Sequence, residues 1–126
     1  MDNTGNKFTY WIDSNTNYLC LFTINPILNI MLGYVGITKE HTLYGKNYYE
    51  VTIDFYEEIT YSGQIIIHEY RQSDQYWFFG FDYGHGYIPA TGNIQLDVEN
   101  LAKALVNLDS NNFRRINNEK NWHYTQ

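Results

Sequence analysis

The sequence predicts an α+β fold, in which an antiparallel sheet of about five or six strands carries one C-terminal amphipathic helix packed on one face. Several short segments are rich in aromatic and β-branched residues, and clusters of turn-forming residues separate them. One stretch, residues 98–108, repeats apolar residues at the three- and four-residue spacing of a helix. Because that apolar stripe needs a covering surface, the helix is expected to pack against the sheet.

The first half of the chain is predicted to supply three strands. Residues 8–12 and 18–23 flank the turn-forming cluster 13–17, so they are expected to form a hairpin. Pro26 interrupts the next apolar run, and residues 27–32 fit no single element. Residues 33–37 are predicted to form a short strand, and residues 39–49 a polar loop with at most one helical turn.

The second half is predicted to supply a further strand, a central hairpin and the helix. Residues 51–55 alternate apolar and polar side chains, the period of a strand with one solvated face. Residues 65–70 and 76–81 carry large apolar groups at both parities, so this hairpin is expected to be covered on both faces. Asp97 is the predicted N-cap of the helix. The tail, residues 113–126, is expected to dock through its few apolar side chains or to be partly mobile.

Composition and charge define the setting of the protein. A chain of 126 residues fits one domain, residues 1–126, because it can bury about two thirds of its unfolded surface around one core. The net charge of −6 and the scattered basic residues disfavour direct nucleic-acid binding. Cys20 is a predicted core thiol in a reducing cytosol. Neither a secretion signal nor a bilayer-spanning run is recognisable, so a cytoplasmic protein with no membrane association is expected.

The most chemically suggestive residues follow the aromatic segment 77–81. Asp82 comes at the predicted strand end and His85 in the glycine-rich turn after it, where a rigid scaffold can direct polar groups at a ligand. The alternative is a purely structural corner, in which Asp82 caps the loop, Gly84 and Gly86 supply positive φ angles, and His85 packs or is solvated.

A carboxylate and an imidazole at this spacing could also hold a divalent metal or serve in acid and base catalysis. Tight zinc binding requires three or four ligands, so His68 or one of Glu57 and Glu58 would have to converge on Asp82 and His85. No cofactor is otherwise indicated. The residues thus leave open a metal-dependent phosphodiesterase or nuclease.

Tyrosine is unusually frequent in the middle of the chain. Its large ring and polar tip suit both protein interfaces and pockets for flat ligands such as nucleotides, although ordinary use in strands explains many of them. We therefore include three tyrosines with Asp82 and His85 as candidate ligand-binding residues: Tyr61, Tyr83 and Tyr87.

An ordered set of segments resembles a family of small uncharacterised proteins common in phage and prophage genomes. The resemblance spans residues 33–106 and rests on GYVGI at 33–37, HTLYGK at 41–46, TYSG at 60–63, WFFGFDYGH at 77–85, and the helix containing Val98, Glu99, Leu101 and Ala102. It implies a viral or mobile-element protein made in a bacterial cytoplasm. Family members tend to carry His-Gly-Gly before the Thr-Tyr-Ser and another Asp after the His. This chain has Glu57-Glu58-Ile59 and Gly86-Tyr87-Ile88-Pro89 at those places, which disfavours catalysis.

Two functions are carried forward from the sequence. The first is a phage-type accessory binding protein that inhibits a host defence system by binding a host protein or a nucleotide signal. The second is the metal-dependent phosphodiesterase or nuclease that would use the Asp and His cluster. A homo-oligomer, for example a structural or virion-assembly part, is a further alternative.

Overall fold

A computed structural model describes residues 7–83 and 92–110 and contains the predicted antiparallel sheet and helix. The five strands follow the order β1-β2-β3-β5-β4 across the sheet, and every neighbouring pair is antiparallel. The α+β prediction is confirmed. The elements are β1 (Thr9–Ile12), β2 (Leu19–Asn25), β3 (Ile30–Ile37), β4 (Tyr61–Gly63), β5 (Trp77–Asp82) and α1 (Ile94–Asn107), with short 3-10 helices at Tyr48–Glu50 and Arg71–Gln75.

The hairpin predicted for the start of the chain is confirmed as β1 and β2. Its turn is closed by Asp13, whose Oδ2 accepts hydrogen bonds from the amide (3.0 Å) and the hydroxyl (2.8 Å) of Thr16. Asn17 adopts a φ of 63°, a left-handed conformation that asparagine tolerates better than most residues. The turn-forming residues of this segment therefore fix the β1–β2 register through local bonds.

The predicted hairpin of residues 65–70 with 76–81 is wrong, although β5 is an inner strand as expected. β5 pairs with β3 on one side and with the short β4 on the other. Residues 71–75 form a 3-10 helix in place of a hairpin turn, and the amide of Ile67 donates to Oγ of Ser73. Ile65 and Ile67 consequently lie across the second face of the sheet, where they are buried with Phe78.

Helix α1 begins earlier than predicted. Its N-cap is Asn93, whose Oδ1 accepts from the amides of Gln95 (2.9 Å) and Leu96 (3.3 Å). The prediction that Asp97 is the N-cap is therefore wrong, because Asp97 lies within the first turn and is completely buried. The predicted apolar stripe packs on one face of the sheet as expected, through Ile94, Val98, Leu101, Ala102 and Leu105.

Both faces of the sheet are covered, as predicted for its central strands. On the α1 face Phe79 and Phe81 are buried, whereas Phe78 is buried on the opposite face. Cys20 lies on the α1 face and is inaccessible to solvent, which confirms the predicted core thiol. Burial raises the pKa of this thiol well above its usual range, and the nearby Asp13 and Glu99 charges act in the same direction.

Residues 51–60, which we call the strap, lie over the α1 face of the sheet without regular secondary structure. Their side chains alternate between partly buried and exposed, as predicted, and Val51, Ile53, Phe55 and Ile59 pack against the core. The prediction of a strand at 51–55 is nevertheless wrong, because no neighbouring strand pairs with these residues in the described part of the chain. Within residues 7–83 and 92–110 no helix has the length and apolar character needed to cross a membrane.

Candidate functional site

Asp82 lies at the end of β5, on the sheet face opposite α1, and is half-buried. The hydroxyl of Thr60 donates to its Oδ2 at 3.0 Å. The nearby ring of Tyr34 covers Gly80, where any Cβ would overlap the ring, and stands edge-on to Tyr61 with the ring centroids 5.4 Å apart. The Tyr61 hydroxyl donates to the carbonyl oxygen of Gln64 at 2.9 Å. The structure thus places two predicted ligand-binding residues, Asp82 and Tyr61, on the same sheet face.

Tyr83 follows Asp82 directly and therefore points to the other face. Its side chain is buried, and its hydroxyl donates to Oδ2 of Asp97. The hydroxyl of the half-exposed Tyr56 donates to Oδ1 of the same carboxyl group at 2.6 Å and accepts from Nδ2 of Asn100 at 3.0 Å. We call Asp97, Tyr56 and Tyr83 the buried carboxyl cluster. In this structure it joins the strap, β5 and α1.

Glu57 of the strap lies close enough to both Asp82 and Asp97 for their charges to affect its carboxyl group. Burial raises the pKa of its carboxyl group, and the charges of Asp97 and Asp82 raise it further. The strap thus brings a carboxyl group close to the acids on both sides of the end of β5. Negative potential is therefore concentrated at this end of the sheet.

His85 and Tyr87 lie outside the described residues, so their predicted roles in ligand binding stay predictions. The remaining metal candidate, His68, is exposed in the short turn between Ile67 and Tyr70. Among residues 7–83 and 92–110 no group of three or more His, Cys, Asp or Glu side chains is arranged to hold a metal ion. The metal hypothesis therefore stays a prediction that depends on His85.

The side chain of His41, which lies in the loop after β3, is buried. Nδ1 accepts from the amide of Leu43 at 2.9 Å, which leaves Nε2 to donate to the carbonyl oxygen of Leu105 at 2.7 Å. The neighbouring Thr42 donates through its hydroxyl to Asp109 at 2.8 Å. These bonds tie the loop after β3 to the end of α1, which is a structural role.

The turn between β2 and β3 exposes aliphatic side chains that the sequence did not identify as functional. We call residues 24–29 the hairpin tip. Ile27 is 89% exposed, Leu28 is 64% exposed and Ile24 is 49% exposed. Scattered single apolar residues are common on protein surfaces, but neighbouring large aliphatic side chains with this exposure are typical of an interaction site.

The hairpin tip is held in a defined conformation. Oδ1 of Asn25 accepts from the amides of Ile27 (2.9 Å) and Leu28 (3.0 Å), and the amide of Asn29 donates to the carbonyl oxygen of Asn25 at 2.8 Å. Asn29 closes the turn with a φ of 55°. Beside the tip is a cleft of about 310 Å³, lined by Lys7, Thr9, Phe22, Thr23, Ile24 and Pro26.

The hairpin tip and Asp82 belong to the same end of the sheet. Leu32 of β3 is the register partner of Asp82, and the tip ends just before Ile30, the first residue of β3. At about 3.4 Å per residue, Asp82 pairs with β3 roughly 7 Å from the base of the tip. This end therefore combines exposed aliphatic groups with the acidic residues Glu57 and Asp82.

The chain matches no protein-family model, no curated protein and no solved structure.

Buried phenols should make the protein sensitive to alkaline pH. Burial, with the nearby Tyr61 and Asp82, raises the pKa of Tyr34 from its ordinary value of 10.0 to about 12. Burial and the bond to Asp97 raise the pKa of Tyr83 further. Because the folded protein retains these protons while the unfolded chain loses them, the free energy of unfolding should fall as the pH rises from about 10 to 12.

Urea unfolding followed by tryptophan fluorescence from pH 8 to pH 12 measures this fall. Tyr34→Phe keeps the ring over Gly80 and should make the fall smaller. Tyr49→Phe, at a residue that is 73% exposed, is the matched control and should leave the curve unchanged. A free energy of unfolding that stays constant up to pH 11.5 would contradict the expected pKa increases.

Proposed function

We propose that this protein is a binding protein that acts stoichiometrically on another protein, as a phage-type accessory factor directed at a component of host defence. The observation that carries the proposal is the hairpin tip, where Ile27 and Leu28 are presented to solvent on a hydrogen-bonded turn. Burying such side chains against a partner removes apolar surface from water at about 25 cal/mol per Å². The expected setting, a bacterial cytoplasm, follows from the resemblance to phage and prophage proteins.

The chemistry of the tip favours a protein partner over a nucleotide. A nucleotide site needs hydrogen-bond donors for phosphate and a surface on which the base can stack. The exposed groups of the tip are aliphatic. Lys7 lines the neighbouring cleft, but the other charged groups at this end of the sheet, Asp82 and Glu57, are acids that repel phosphate. Aliphatic side chains that insert into an apolar pocket of the partner are, in contrast, common at the centre of protein interfaces.

Affinity capture from bacterial extract tests the proposal. Immobilised wild-type protein is expected to retain one host protein in a molar ratio near one, and native mass spectrometry of the eluate should show the complex. A variant with Ile27→Ser and Leu28→Ser should not retain it. Identical sets of retained proteins for the two forms would contradict the proposal, as would recovery of a stoichiometric nucleotide with no retained protein.

A further inference from the structure

The cleft beside the hairpin tip combines apolar side chains with one positive charge. Its volume of about 310 Å³ lies at the small end of the range found for ligand pockets in proteins. Six residues line it: Lys7, Thr9, Phe22, Thr23, Ile24 and Pro26. Of these six, three are apolar, one is basic and none is acidic. The cleft therefore suits a group that is partly apolar and partly negative.

The first hairpin holds these side chains in position. Thr9 of β1 is the register partner of Phe22 of β2, so their side chains lie on the same face of the sheet. Ile24 follows Phe22 by two residues and points to that face as well. The hydroxyl of Thr23 donates to the carbonyl oxygen of Lys7 at 2.6 Å, which holds the chain just before β1 against β2. The side chain of Lys7 therefore starts from a fixed position at the cleft.

Lys7 supplies the positive charge on this side of the sheet. It is the only basic residue among residues 1–38, the part of the chain that contains β1, β2 and β3. Asp13 lies in the turn that follows β1, at the end of the hairpin away from the tip. Glu99 of α1 acts on the thiol of Cys20 but does not line the cleft. No acid of the cleft itself therefore neutralises the Lys7 ammonium group.

The acids at the end of β5 are too distant to reverse this attraction. Asp82 lies on β5, and Glu57 lies close to it. In the strand order β1-β2-β3-β5, three strand spacings separate β5 from β1, a distance of about 14 Å. The Debye length at physiological salt is only about 8 Å. A negative group in the cleft is therefore attracted by Lys7 more than it is repelled by these two acids.

We propose that the cleft receives an apolar side chain of the partner protein, and that an Asp or Glu beside it in the partner pairs with the Lys7 ammonium group. The inference rests on the proposed function, that this protein binds another protein. Ile24 and Pro26 belong to both the hairpin tip and the cleft, so a partner that buries the tip also covers the cleft. Apolar side chains seated in pockets provide much of the affinity of interfaces, and charges around them set orientation.

Small aromatic probes test the inference on the full chain without the natural partner. The probe is 3-phenylpropionate, which joins one apolar group to one carboxylate, and the controls are 3-phenylpropylamine and acetate. Binding is followed by NMR shifts of the Phe22 amide and of the Thr9 and Ile24 methyl groups. We expect 3-phenylpropionate to bind with a Kd of about 1–10 mM, as its size allows, and both controls to bind at least about 3-fold more weakly. Equal binding of the probe and either control would overturn the inference.

Substitutions of Lys7 separate a specific ion pair from general attraction. Lys7→Gln should weaken 3-phenylpropionate by about 2-fold to 5-fold, as is typical of an exposed ion pair. Lys7→Glu should reverse the preference, so that 3-phenylpropylamine binds more tightly than 3-phenylpropionate. Lys39→Gln is the matched control, because Lys39 is exposed in the loop after β3, and it should bind the probe as the wild type does. Equal weakening by Lys7→Gln and Lys39→Gln would overturn the inference.

Other occupants of the cleft give different results. If residues of this chain or of a second copy fill it, 3-phenylpropionate will not shift the Thr9, Phe22 and Ile24 signals, and that result would overturn the inference. With the captured partner, Lys7→Glu should weaken binding by at least about 5-fold and Lys39→Glu should not. Failure of the probe with a partner still retained by the tip would overturn this inference and leave the proposed function intact. Probe binding with no retained partner would contradict the proposed function instead, so the two failures are distinguishable.

Discussion

Replacing Asp97 with alanine is expected to lower the free energy of unfolding by about 3–5 kcal/mol, as is typical when one member of a buried polar cluster is removed. The Asp97 carboxyl group is inaccessible to solvent and accepts the hydroxyls of Tyr56 and Tyr83. Its loss would leave the buried Tyr83 hydroxyl without its acceptor. Urea denaturation followed by circular dichroism measures the change.

Milder substitutions keep this prediction testable if the alanine variant does not fold. Asp97→Asn preserves shape, and its amide can still accept one hydroxyl, so we expect a loss of about 1–3 kcal/mol. Tyr83→Phe should cost more than Tyr56→Phe, because Tyr83 is buried whereas Tyr56 is 50% exposed. If Asp97→Ala unfolds within 1 kcal/mol of the wild type, the buried carboxyl cluster does not hold the strap, β5 and α1 together.

Removing the aliphatic side chains of the hairpin tip is expected to abolish partner binding without destabilising the protein. Hot-spot side chains near the centre of an interface each contribute about 2 kcal/mol or more, so if the tip is the centre of the interface, Ile27→Ser with Leu28→Ser should weaken binding by about 100-fold or more. Both residues are highly exposed, so the free energy of unfolding should change by less than about 0.5 kcal/mol. Titration calorimetry with the captured partner measures the binding loss.

Two further variants distinguish loss of the side-chain contacts of the tip from loss of its conformation. Ile12→Ser is the matched control, because Ile12 is 44% exposed and precedes the β1–β2 turn at the opposite end of the sheet. It should bind as the wild type does. Asn25→Ala removes the acceptor that orients Ile27 and Leu28 but keeps their side chains, so it should weaken binding less than the double substitution. Equal losses for Ile12→Ser and the tip variant would contradict a specific role for the tip.

Elements defined by local chemistry could be predicted from the sequence. The β1–β2 hairpin follows from the turn-forming residues at 13–17, and the apolar stripe of α1 follows from helical spacing. Strand pairing was harder to predict, because it depends on contacts between residues distant in the chain. β5 has the composition of an inner strand, but nothing near it in the sequence identifies β3 as its neighbour. The polar segment 71–75 resembled a hairpin turn and instead forms a 3-10 helix.

The strap shows why a correct periodicity led to a wrong element. Its alternation of partly buried and exposed side chains is the one expected of a strand. A strand also needs a neighbouring strand to pair with, whereas periodicity indicates only which side chains are shielded from solvent. The sequence therefore predicted the alternating exposure of residues 51–55, but not that these residues lie outside the sheet in the described part of the chain.

The candidate site could likewise be predicted only where the signal is local in the sequence. Asp82 was correctly placed at a strand end, because the change from aromatic to polar and glycine residues is visible locally. That Tyr83 would be buried against Asp97 could not be predicted, since the bond joins residues on β5 and α1 that no sequence pattern links. The sequence did not show that Ile27 and Leu28 are exposed, because they lie in an apolar segment that fits no single element. Pro26 and the two flanking asparagines, which hold the turn, were the available signal.

Site-specific photocrosslinking tests most directly whether the hairpin tip is the surface that meets the partner. A benzophenone amino acid is placed at position 28 or, as the control, at position 12, and each protein is irradiated in bacterial extract. We predict one adduct of discrete mass from position 28, which excess unlabelled protein competes away, and none from position 12. An adduct from position 12 with none from position 28 would contradict the proposal that this protein binds its partner through the tip.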